Sequence, residues 1–509
     1  MVQMQKTRQK SVFFIGIGGI GMSALARWYL AQNRPLGRAS AKGEIAQKWA
    51  VSGSDLAPSE ITRELQNEGC RVKIGHKKAN IGPETGLVIY NQAIPNNNPE
   101  LERARELKIK TLSYPEALGE LTRLHTAIAV AGAHGKSTTT ALVSLVLMKA
   151  GLDPTVIIGT KLKEFKNKNF RKGSIPTKLF SSKGIDIERR SVAANVKPWL
   201  IIEADEFHAS FLDYSPTLAI ITNIDREHLD FYKNLENIKK GFLRFIGNIQ
   251  KNGTLIVNAD NPTLWGLKKH IEAIGKRGRI AIVWYGTHNA QILASHDRET
   301  QVNTERVVGK IRKILKIPGE HNVSNALAAY ALARSLKVPE KTILSALASY
   351  RGAWRRMEYK GKLPISNSPL LFDDYGHHPT EIKATLAAFR GKYPNYKIIC
   401  VFQPHQAKRL EALFKEFQAA FYDADALVLL PIYKVPGRDN PKTHYTSELL
   451  ARTINPSGHL KEIRYLPSPT RLKSTLQLLV TNYQLPAKTV IVMMGAGDIV
   501  EYSKQLLSQ

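Results

Sequence analysis

Two glycine-rich loops, each between an apolar strand and a helix, constrain the fold of this 509-residue chain more than any other feature. The first loop, GIGGIGMS, follows the apolar run SVFFI, and the second, AGAHGKST, follows TAIAV. A strand, a tight glycine turn and a helix in succession build parallel, doubly wound sheets. The two loops therefore predict an α/β protein.

Strand and helix patterns alternate along the chain and divide it into three α/β domains in series. We place the boundaries near residues 122 and 350, which gives domains over 1–122, 123–349 and 350–509. A chain of this length also suggests about three domains at roughly 150 residues each. Segments 34–50 and 161–197 interrupt the pattern, and we interpret both as inserted surface loops.

The net charge of +30 raises the question of nucleic-acid binding, because clustered Lys and Arg gain affinity for phosphate backbones. The basic residues are spread along the chain, and the sequence has neither paired zinc ligands nor an aromatic RNA-binding box. We therefore attribute the charge to the surface and to small anionic substrates. A nucleic-acid-binding ATPase remains an alternative that rests on charge alone.

The sequence also bears on the compartment of the protein. Cys70 and Cys400 are far apart and form no C-x-x-C motif, which fits a reducing cytoplasm. No apolar run approaches the ~20 residues that span a bilayer. The basic N-terminus before SVFFIGIGGIGMSALA is similar to a secretory signal, but its glycines fit a phosphate loop better. We predict a cytoplasmic protein without a membrane span.

The first glycine loop predicts a site for a dinucleotide or a nucleoside diphosphate. Its glycines Gly16, Gly18, Gly19 and Gly21 allow the backbone to turn tightly beside a diphosphate, whose charge then meets the helix N-terminus. Asp55 ends the next strand, VSGSD. Two interpretations of Asp55 stay open, a hydrogen bond to a ribose hydroxyl and a loop cap.

The second loop predicts an ATP site, although it has Val130 where the usual P-loop pattern has a glycine. Gly132 and Gly135 can supply the two permissive turns, and the N–H groups that lead into the helix can bind phosphate oxygens. Lys136 would contact the β- and γ-phosphates, and the Ser137 hydroxyl would face Mg²⁺.

Acidic residues that follow two later strands are candidate magnesium ligands, because Mg²⁺ prefers hard oxygen donors. Glu203 lies in IIEADEF, where Asp205 and Glu206 can instead cap the next helix. His228 follows the other strand, in ITNIDREHLDFY, and we predict a metal or phosphate role for it.

Several motifs occur in the order in which the Mur ligases carry them. They are GIGGIGMS, SGSDL, GAHGKSTTT, EADE, TNIDREHLD, HNVSNALAA, RRME and DDYGHHPTE. The chain thus resembles the Mur ligases, the ATP-dependent amide-forming enzymes of peptidoglycan assembly, over almost its whole length. The resemblance implies a Rossmann-like UDP-binding domain, a P-loop ATPase-type central domain and a Rossmann-like C-terminal domain.

GIGGIGMS, DDYGHHPTE and VFQPH look most like the family member that adds the first amino acid. This resemblance implies that ATP phosphorylates the lactyl carboxylate of UDP-N-acetylmuramate to an acyl phosphate, which the amine of L-alanine then attacks. The implied partners are ATP, Mg²⁺, UDP-N-acetylmuramate and L-alanine, with no nucleic acid, for a monomer or homodimer.

The resemblance also implies a role for each matched residue. The implied catalytic residues are Lys136, Glu203, His228 and Arg356, and the implied metal ligands are Ser137, Glu203 and His228. The implied ATP-binding residues are Gly132, Ala133, His134, Gly135, Lys136, Ser137, Thr138, Asn322, Arg356 and Asp374. The implied UDP-substrate residues are Gly16, Gly18, Gly19, Gly21, Met22, Ser23 and Asp55, and the implied amino-acid pocket holds Tyr375, His377, His405 and Arg409.

Two departures from the family pattern keep alternatives open. Gln406 stands where the usual PHRYTR run has its first Arg, with Lys408 as a possible substitute, and Phe207 and His208 stand where Ser and Asp are common. The alternatives are a recycling ligase that adds a whole peptide to UDP-N-acetylmuramate and a non-catalytic UDP-sugar sensor. The GAGD run at 495–498 predicts a tight strand-to-helix turn, not a third nucleotide loop.

Overall fold

The structure, a computed structural model, describes residues 10–33, 49–174, 179–181, 184–186, 197–287, 293–294, 304–434, 443–482 and 488–508. The chain forms two compact units. The first unit comprises Met1–Arg226, Glu236–Lys310 and Ala326–Leu347, and the second comprises Glu227–Leu235, Ile311–Asn325 and Ala348–Gln509. Among the described residues, no helix combines the length and the apolar character needed to cross a bilayer.

The first sheet, in the first unit, has five parallel strands in the order β3-β2-β1-β4-β5. The strands are β1 (Lys10–Ile15), β2 (Trp49–Asp55), β3 (Arg71–Ile74), β4 (Leu87–Tyr90) and β5 (Lys110–Ser113). The helices are α1 (Ile20–Gln32), α2 (Glu60–Asn67), α3 (Pro99–Glu106) and α4 (Tyr114–Leu124). The strand order runs outward from β1 in one direction to β3 and then outward from β4 in the other, so the order reverses between β1 and β4. In such a sheet, ligands bind outside the carboxyl ends of these two strands.

The second sheet, also in the first unit, has eight strands in the order β15-β14-β13-β12-β6-β11-β7-β8. Its strands are β6 (Thr126–Ala131), β7 (Thr155–Leu162), β8 (Lys168–Arg171), β11 (Trp199–Ala204), β12 (Leu218–Ile221), β13 (Thr254–Asn258), β14 (Ala281–Tyr285) and β15 (Leu293–Ala294). A separate antiparallel pair consists of β9 (Leu179–Ser181) and β10 (Gly184–Asp186). The central strand β6 lies between β11 and β12, parallel to both, which brings the carboxyl ends of the three strands together.

Among the described residues, eight α-helices lie between β6 and the third sheet. They are α5 (Lys136–Lys149), α6 (Leu229–Tyr232), α7 (Leu235–Gly247), α8 (Pro262–Gly266), α9 (Lys268–Gly278), α10 (Thr304–Ile314), α11 (Glu320–Ser335) and α12 (Glu340–Ser349). α5 is buried along most of its length, because apolar and Thr side chains occupy nearly every position after Ser137.

The third sheet, in the second unit, has six strands in the order β16-β17-β21-β18-β19-β20, with only β16 antiparallel among its pairings. Its strands are β16 (Glu358–Lys362), β17 (Leu370–Asp374), β18 (Lys397–Phe402), β19 (Ala426–Leu429), β20 (Glu462–Tyr465) and β21 (Thr489–Met494). Its helices are α13 (Pro379–Lys392), α14 (Ala407–Ala412), α15 (Phe414–Gln418), α16 (Ser447–Thr453), α17 (Leu472–Asn482) and α18 (Ile499–Ser508).

The three α/β sheets that the sequence predicts are therefore present, and each falls within one of the three predicted segments. The proposed boundary near 122 lies inside α4, and the one near 350 follows α12. The GAGD run joins β21 to α18, as predicted, and Gly495 has the positive φ of +154° that this turn requires.

The prediction of a surface loop over 161–197 is wrong at its start. Lys161 belongs to β7, β8 pairs antiparallel with that strand, and Asn169 in β8 is fully buried. Two of its basic residues, Lys161 and Lys168, form ion pairs with glutamates of α2 and its C-cap, as described below. Residues 175–178, 182–183 and 187–196 lie outside the described residues, as do 34–48 of the other predicted insert, whose last two residues begin β2.

Candidate active site

The first glycine loop connects β1 to α1 and is held by the end of β2. The Gly16 and Ile17 N–H groups donate to the Ser54 carbonyl at 2.9 Å each, and Gly16 has a φ of +80°. The Gly18 N–H donates to Asp55 Oδ2 at 2.8 Å, and a Cβ added to Gly18 would lie 2.8 Å from the same oxygen. Asp55 thus anchors the loop, which confirms its interpretation as a loop cap, while the ribose contact stays a prediction.

The remaining two glycines of this loop lie at the start of α1. Gly19 is the N-cap residue of the helix, and a Cβ added to Gly21 would lie 2.8 Å from the Tyr114 ring. Met22 and Ser23 follow in the first turn, both buried. The first N–H groups of a helix have no partner within the helix, so this turn can bind an anion.

A cavity of about 390 Å³ opens beyond the carboxyl end of β4, the strand next to β1. Polar side chains of the first sheet and of the segment after β11 line it. The lining residues are Tyr90, Gln92, Ile94, Pro95, Asn96, Ser113, Glu116, His208 and Asp213. The glycine loop follows β1 and the cavity follows β4, the two neighbouring strands between which the strand order of the sheet reverses.

The second glycine loop turns at Gly132 and Gly135, as the sequence predicts. Their φ angles are +132° and +83°, and a Cβ added to Gly132 would lie only 2.1 Å from Thr222 Oγ1. Val130, by contrast, is fully buried in β6, where it pairs in register with a residue of β11 on one side and a residue of β12 on the other. A glycine is not needed at Val130, because the strand is still extended there.

Thr222 and Asn223, which follow β12, hold the second loop in place. The Asn223 side chain accepts the His134 N–H at 2.9 Å and donates to the His134 carbonyl at 3.0 Å, while Thr222 Oγ1 donates to that carbonyl at 2.6 Å. His134 Nε2 lies 3.0 Å from Asp225 Oδ2. We did not predict these contacts; the signal was a polar Thr-Asn pair directly after an apolar strand.

Lys136 and Ser137 each meet one carboxylate from the segment EADE. Lys136 Nζ donates to Glu206 Oε2 at 2.9 Å and to the Gly132 carbonyl at 2.7 Å. Ser137 Oγ donates to Glu203 Oε2 at 3.0 Å, and the other Glu203 oxygen accepts the Gly159 N–H at 2.6 Å. Glu206 occupies the N-cap position of the 3-10 helix Phe207–Asp213, but its side chain pairs with Lys136 and does not cap that helix, whereas the Asp205 side chain accepts the Phe207 N–H at 3.1 Å.

Burial and neighbouring charges oppose each other at this cluster. Burial alone would lower the pKa of Lys136, but the carboxylates of Glu206, Asp205 and Glu203 outweigh it and raise that pKa above its ordinary value. Burial raises the pKa of Glu203 even though Gly159, Lys136 and Ser137 favour its charged form. A cation beside Glu203 would offset the cost of burying its charge. The hydroxyl of Ser137 and the carboxylate of Glu203, both hard oxygen donors, thus fit a magnesium ion.

In the second unit, Asp374 and Tyr375 end β17 beside the RRME segment. The Asp374 carboxylate accepts the Met357 N–H at 2.9 Å and the Gly376 N–H at 2.8 Å, and burial raises its pKa. The Tyr375 ring has the guanidinium of Arg355 at 5.0 Å and that of Arg356 at 5.3 Å from its centroid. The structure therefore brings Arg356, Asp374 and Tyr375 together at one strand end.

The predicted amino-acid pocket residues also lie together. The Tyr375 and His377 rings are 5.4 Å apart, and the His377 and His405 rings are 6.0 Å apart. Arg409 Nη1 donates to the His405 carbonyl at 3.2 Å. Burial lowers the pKa of His377 to about 4, so its imidazole is neutral at neutral pH.

Glu227, which the sequence interpretation did not place in the pocket, joins two of these residues. Its carboxylate accepts a hydrogen bond from Arg409 Nη2 at 3.1 Å and lies 3.9 Å from His377 Nε2. Burial disfavours its charge, but the Arg409 guanidinium outweighs burial and holds the pKa of Glu227 well below its usual range. His228, the next residue, is the N-cap residue of α6 and has a φ of +52°.

Two further predicted residues have backbone contacts in the second unit. The Asn322 side chain, 6% exposed, donates to the Pro318 carbonyl at 2.6 Å. Gln406 precedes α14 with a φ of +69°, and its N–H donates to the Tyr433 carbonyl at 3.2 Å. The left-handed backbone at Gln406 is unusual for a residue other than Gly or Asn.

Comparison with known proteins places this chain in a family. Three family models match in order along it: the Mur ligase family catalytic domain over residues 45–126, the Mur ligase middle domain over 130–333 and the Mur ligase glutamate ligase domain over 355–497. A UDP-N-acetylmuramate–L-alanine ligase of Desulforapulum autotrophicum is 38% identical over 504 residues, with 97% of this chain and 98% of that protein covered. The chain belongs to the Mur ligase family.

Other Mur ligases agree in length and fold. A UDP-N-acetylmuramate–L-alanine ligase of Clostridium kluyveri is 36% identical over 514 residues, with 99% of each chain covered. The crystal structure of a UDP-N-acetylmuramate–alanine ligase from Thermotoga maritima superposes with a TM-score of 0.70 at 25% identity and covers 98% of each chain. A murein peptide ligase from Psychrobacter arcticus has the same fold, with a TM-score of 0.64 at 23% identity over 98% of each chain.

Proposed function

We propose that this Mur ligase joins L-alanine to the lactyl carboxylate of UDP-N-acetylmuramate at the expense of ATP, in peptidoglycan precursor synthesis. The observation that carries the proposal is the cluster at the carboxyl ends of β6 and β11, where Lys136 and Ser137 meet Glu206 and Glu203. The full-length likeness to UDP-N-acetylmuramate–L-alanine ligases supports the choice of substrates.

A carboxylate is a poor electrophile, because its oxygen is a poor leaving group. Phosphorylation of the lactyl carboxylate gives an acyl phosphate, which the amine of L-alanine attacks, and the tetrahedral intermediate then expels phosphate. Lys136 and the N–H groups at the start of α5 would stabilise the charge on the transferring phosphoryl oxygens. Glu206 keeps Lys136 charged and directed toward the loop.

We assign the metal to Mg²⁺, held by the oxygen atoms of Ser137 and Glu203. When bound, the ion would supply positive charge that neutralises phosphate oxygens. The role of His228 at a second ion follows the family resemblance. The roles of Asn322, Arg356 and Asp374 at the nucleotide have the same basis.

We assign the UDP moiety to the first glycine loop, with the diphosphate at the N-terminus of α1 and Gly16, Gly18, Gly19, Gly21, Met22, Ser23 and Asp55 around it. The amino acid is assigned to Tyr375, His377, His405 and Arg409. A guanidinium binds a carboxylate through two parallel hydrogen bonds, so Arg409 suits the carboxylate of L-alanine. We propose that the enzyme acts in the cytoplasm, where its free cysteines Cys70 and Cys400 would stay reduced.

An amino-acid panel tests this function. Purified protein is supplied with ATP, Mg²⁺ and UDP-N-acetylmuramate, and phosphate release is measured with L-alanine, glycine, L-serine or a tripeptide. We expect turnover only when all components are present, with L-alanine as the preferred amino acid. Turnover with the tripeptide alone would instead identify a peptide-recycling ligase.

Two further outcomes would contradict the ligase assignment. UDP-N-acetylmuramate binding without turnover on any amino acid would identify a sensor. ATP hydrolysis that RNA or DNA stimulates, with binding that weakens steeply as salt is added, would identify a nucleic-acid-dependent ATPase.

A further inference from the structure

A side chain of the second sheet reaches the first glycine loop. Asn169 in β8 is fully buried, and its Nδ2 donates to the Ile20 carbonyl at 2.5 Å and to Ser23 Oγ at 2.9 Å. Ser23 Oγ in turn donates to the same Ile20 carbonyl at 2.9 Å. Ile20 and Ser23 form the first turn of α1, directly after the glycines.

Arg27, one turn further along α1, fixes the direction of the Asn169 amide. Its Nη1 donates to Asn169 Oδ1, its Nη2 to Glu64 at 2.8 Å and its Nε to Glu68 at 2.9 Å. A guanidinium has only donors, so it can face only the amide oxygen. The amide NH₂ must therefore face the first turn of α1.

Ion pairs on both sides balance the charge of this cluster. Lys161 of β7 contacts Glu60 and Glu64 at 2.7 Å each, and Lys168 of β8 contacts Glu68 at 3.0 Å. Three cations, Arg27 among them, thus meet three carboxylates, and the Arg27 side chain is 2% exposed. The side chains of Arg27 and Lys161 are buried, and buried ion pairs add little stability compared with well-packed apolar side chains. In this cluster the ion pairs fix the Arg27 guanidinium beside Asn169 Oδ1.

We propose that Asn169 is a positioning residue for the UDP-substrate loop. It acts through Ile20 and Ser23 to hold the first turn of α1 in the orientation that directs its N–H groups at the diphosphate. A preorganised turn binds an anion without the cost of ordering it at the moment of binding. The inference rests on the proposed assignment of the UDP moiety to this loop.

Asn169→Asp tests the proposal with a nearly isosteric change. The variant keeps an oxygen for Arg27 but replaces the amide NH₂ with a second oxygen that faces the Ile20 carbonyl. Asn167→Asp is the matched control, because it makes the same chemical change two residues away on the exposed turn of the hairpin. UDP, UDP-N-acetylmuramate and ATP are titrated separately into each protein by calorimetry, and the thermal unfolding midpoint is recorded.

We expect Asn169→Asp to bind UDP and UDP-N-acetylmuramate roughly tenfold more weakly, the size of effect expected when one hydrogen bond is replaced by a repulsive contact. ATP affinity and the properties of Asn167→Asp should match the wild type. In turnover assays the KM for UDP-N-acetylmuramate should rise while the KM for ATP and kcat stay the same. If Asn169→Asp does not fold, Asn169→Ser carries the same expectation.

Equal UDP affinity in Asn169→Asp and Asn167→Asp would overturn the proposal, as would an equal loss of UDP and ATP affinity, which indicates general damage. The proposed function fails separately. Wild-type protein that binds UDP but ligates no amino acid contradicts the ligase assignment and leaves the UDP comparison intact. Wild-type protein that binds no UDP contradicts the assignment of the loop and the positioning role with it.

Discussion

Lys136 offers the most direct test of the phosphate site, provided that effects on chemistry and on folding are separated. Lys136→Met removes the ammonium and keeps a side chain of similar length. The ammonium has three acceptors in the structure, namely Glu206 at 2.9 Å and the carbonyls of Gly132 and Ala133 at 2.7 and 3.3 Å. The substitution should therefore reduce both turnover and stability.

The loss of stability can be sized from the burial of the pair. The Glu206 side chain is 2% exposed and that of Lys136 is 16% exposed. Removing one partner of such a pair costs about 3 to 5 kcal/mol, because the remaining charge stays buried. The folded-state pKa of Lys136 is raised, so its contribution is complete below the unfolded pKa of about 10.4 and is lost only as pH rises through the folded value. We therefore expect the same loss at pH 7 and pH 9.

The double variant Lys136→Met with Glu206→Gln separates the two effects. Removing both charges should restore most of the unfolding midpoint in urea, whereas phosphate release should stay about a thousandfold below wild type, because no cation meets the transferring phosphoryl group. Tryptophan fluorescence follows unfolding, and a coupled phosphate assay follows turnover. Glu206→Gln alone completes the cycle.

Turnover near the wild-type rate in either variant that lacks Lys136 would refute this assignment of the phosphate site. If Lys136→Met alone were as stable as the double variant, the unpaired Glu206 charge could not be the source of the stability loss.

Three further predictions address other parts of the chain. Gly132→Ala should prevent ATP binding, measured by calorimetry, because the added Cβ would lie 2.1 Å from Thr222 Oγ1 and the φ of Gly132 is +132°. The control variant Gly391→Ala, in open space on α13, should leave ATP binding unchanged. Burial raises the pKa of Asp373 to about 6, so this carboxyl group keeps its proton in the folded protein at pH values where the unfolded chain has lost it. As pH rises from about 4 to about 6, wild type should therefore lose up to about 3 kcal/mol of unfolding free energy relative to Asp373→Asn, measured by urea unfolding. Above about pH 6 the difference between the two proteins should stay constant. Glu227→Gln should raise the KM for the amino acid roughly tenfold and leave the KM for ATP unchanged in steady-state assays, because the Gln side chain cannot pair with the Arg409 charge; equal amino-acid KM values would contradict it.

Local patterns in the sequence were sufficient for the fold class and for both glycine loops. The positive φ of Gly132 and Gly135 was predictable, because a strand that turns into a helix within four residues needs permissive positions there. Tyr375, His377 and His405 lie together after β17 and β18, at one edge of the third sheet; the family resemblance, and not a local pattern, grouped them, and their role at the amino acid stays a prediction.

The partners of the loop residues could not be predicted, because they depend on the order of the strands. β6 lies between β11 and β12, and only this order brings Glu206 to Lys136 and Asn223 to His134. The same limitation explains why the surface-loop prediction for 161–197 is wrong at its start. In the sequence, Lys161 lies in a lysine-rich segment of the kind found in solvated loops. Its glutamate partners come about 100 residues earlier in the chain, and only the fold brings them to it.

The sequence by itself therefore determined where the two glycine loops lie, because a strand, a glycine turn and a helix are local features with their own periodicity. Tertiary structure alone decided which carboxylates, amides and guanidinium groups surround those loops. These contacts join residues that are distant in the chain, and their geometry follows from sheet order and packing.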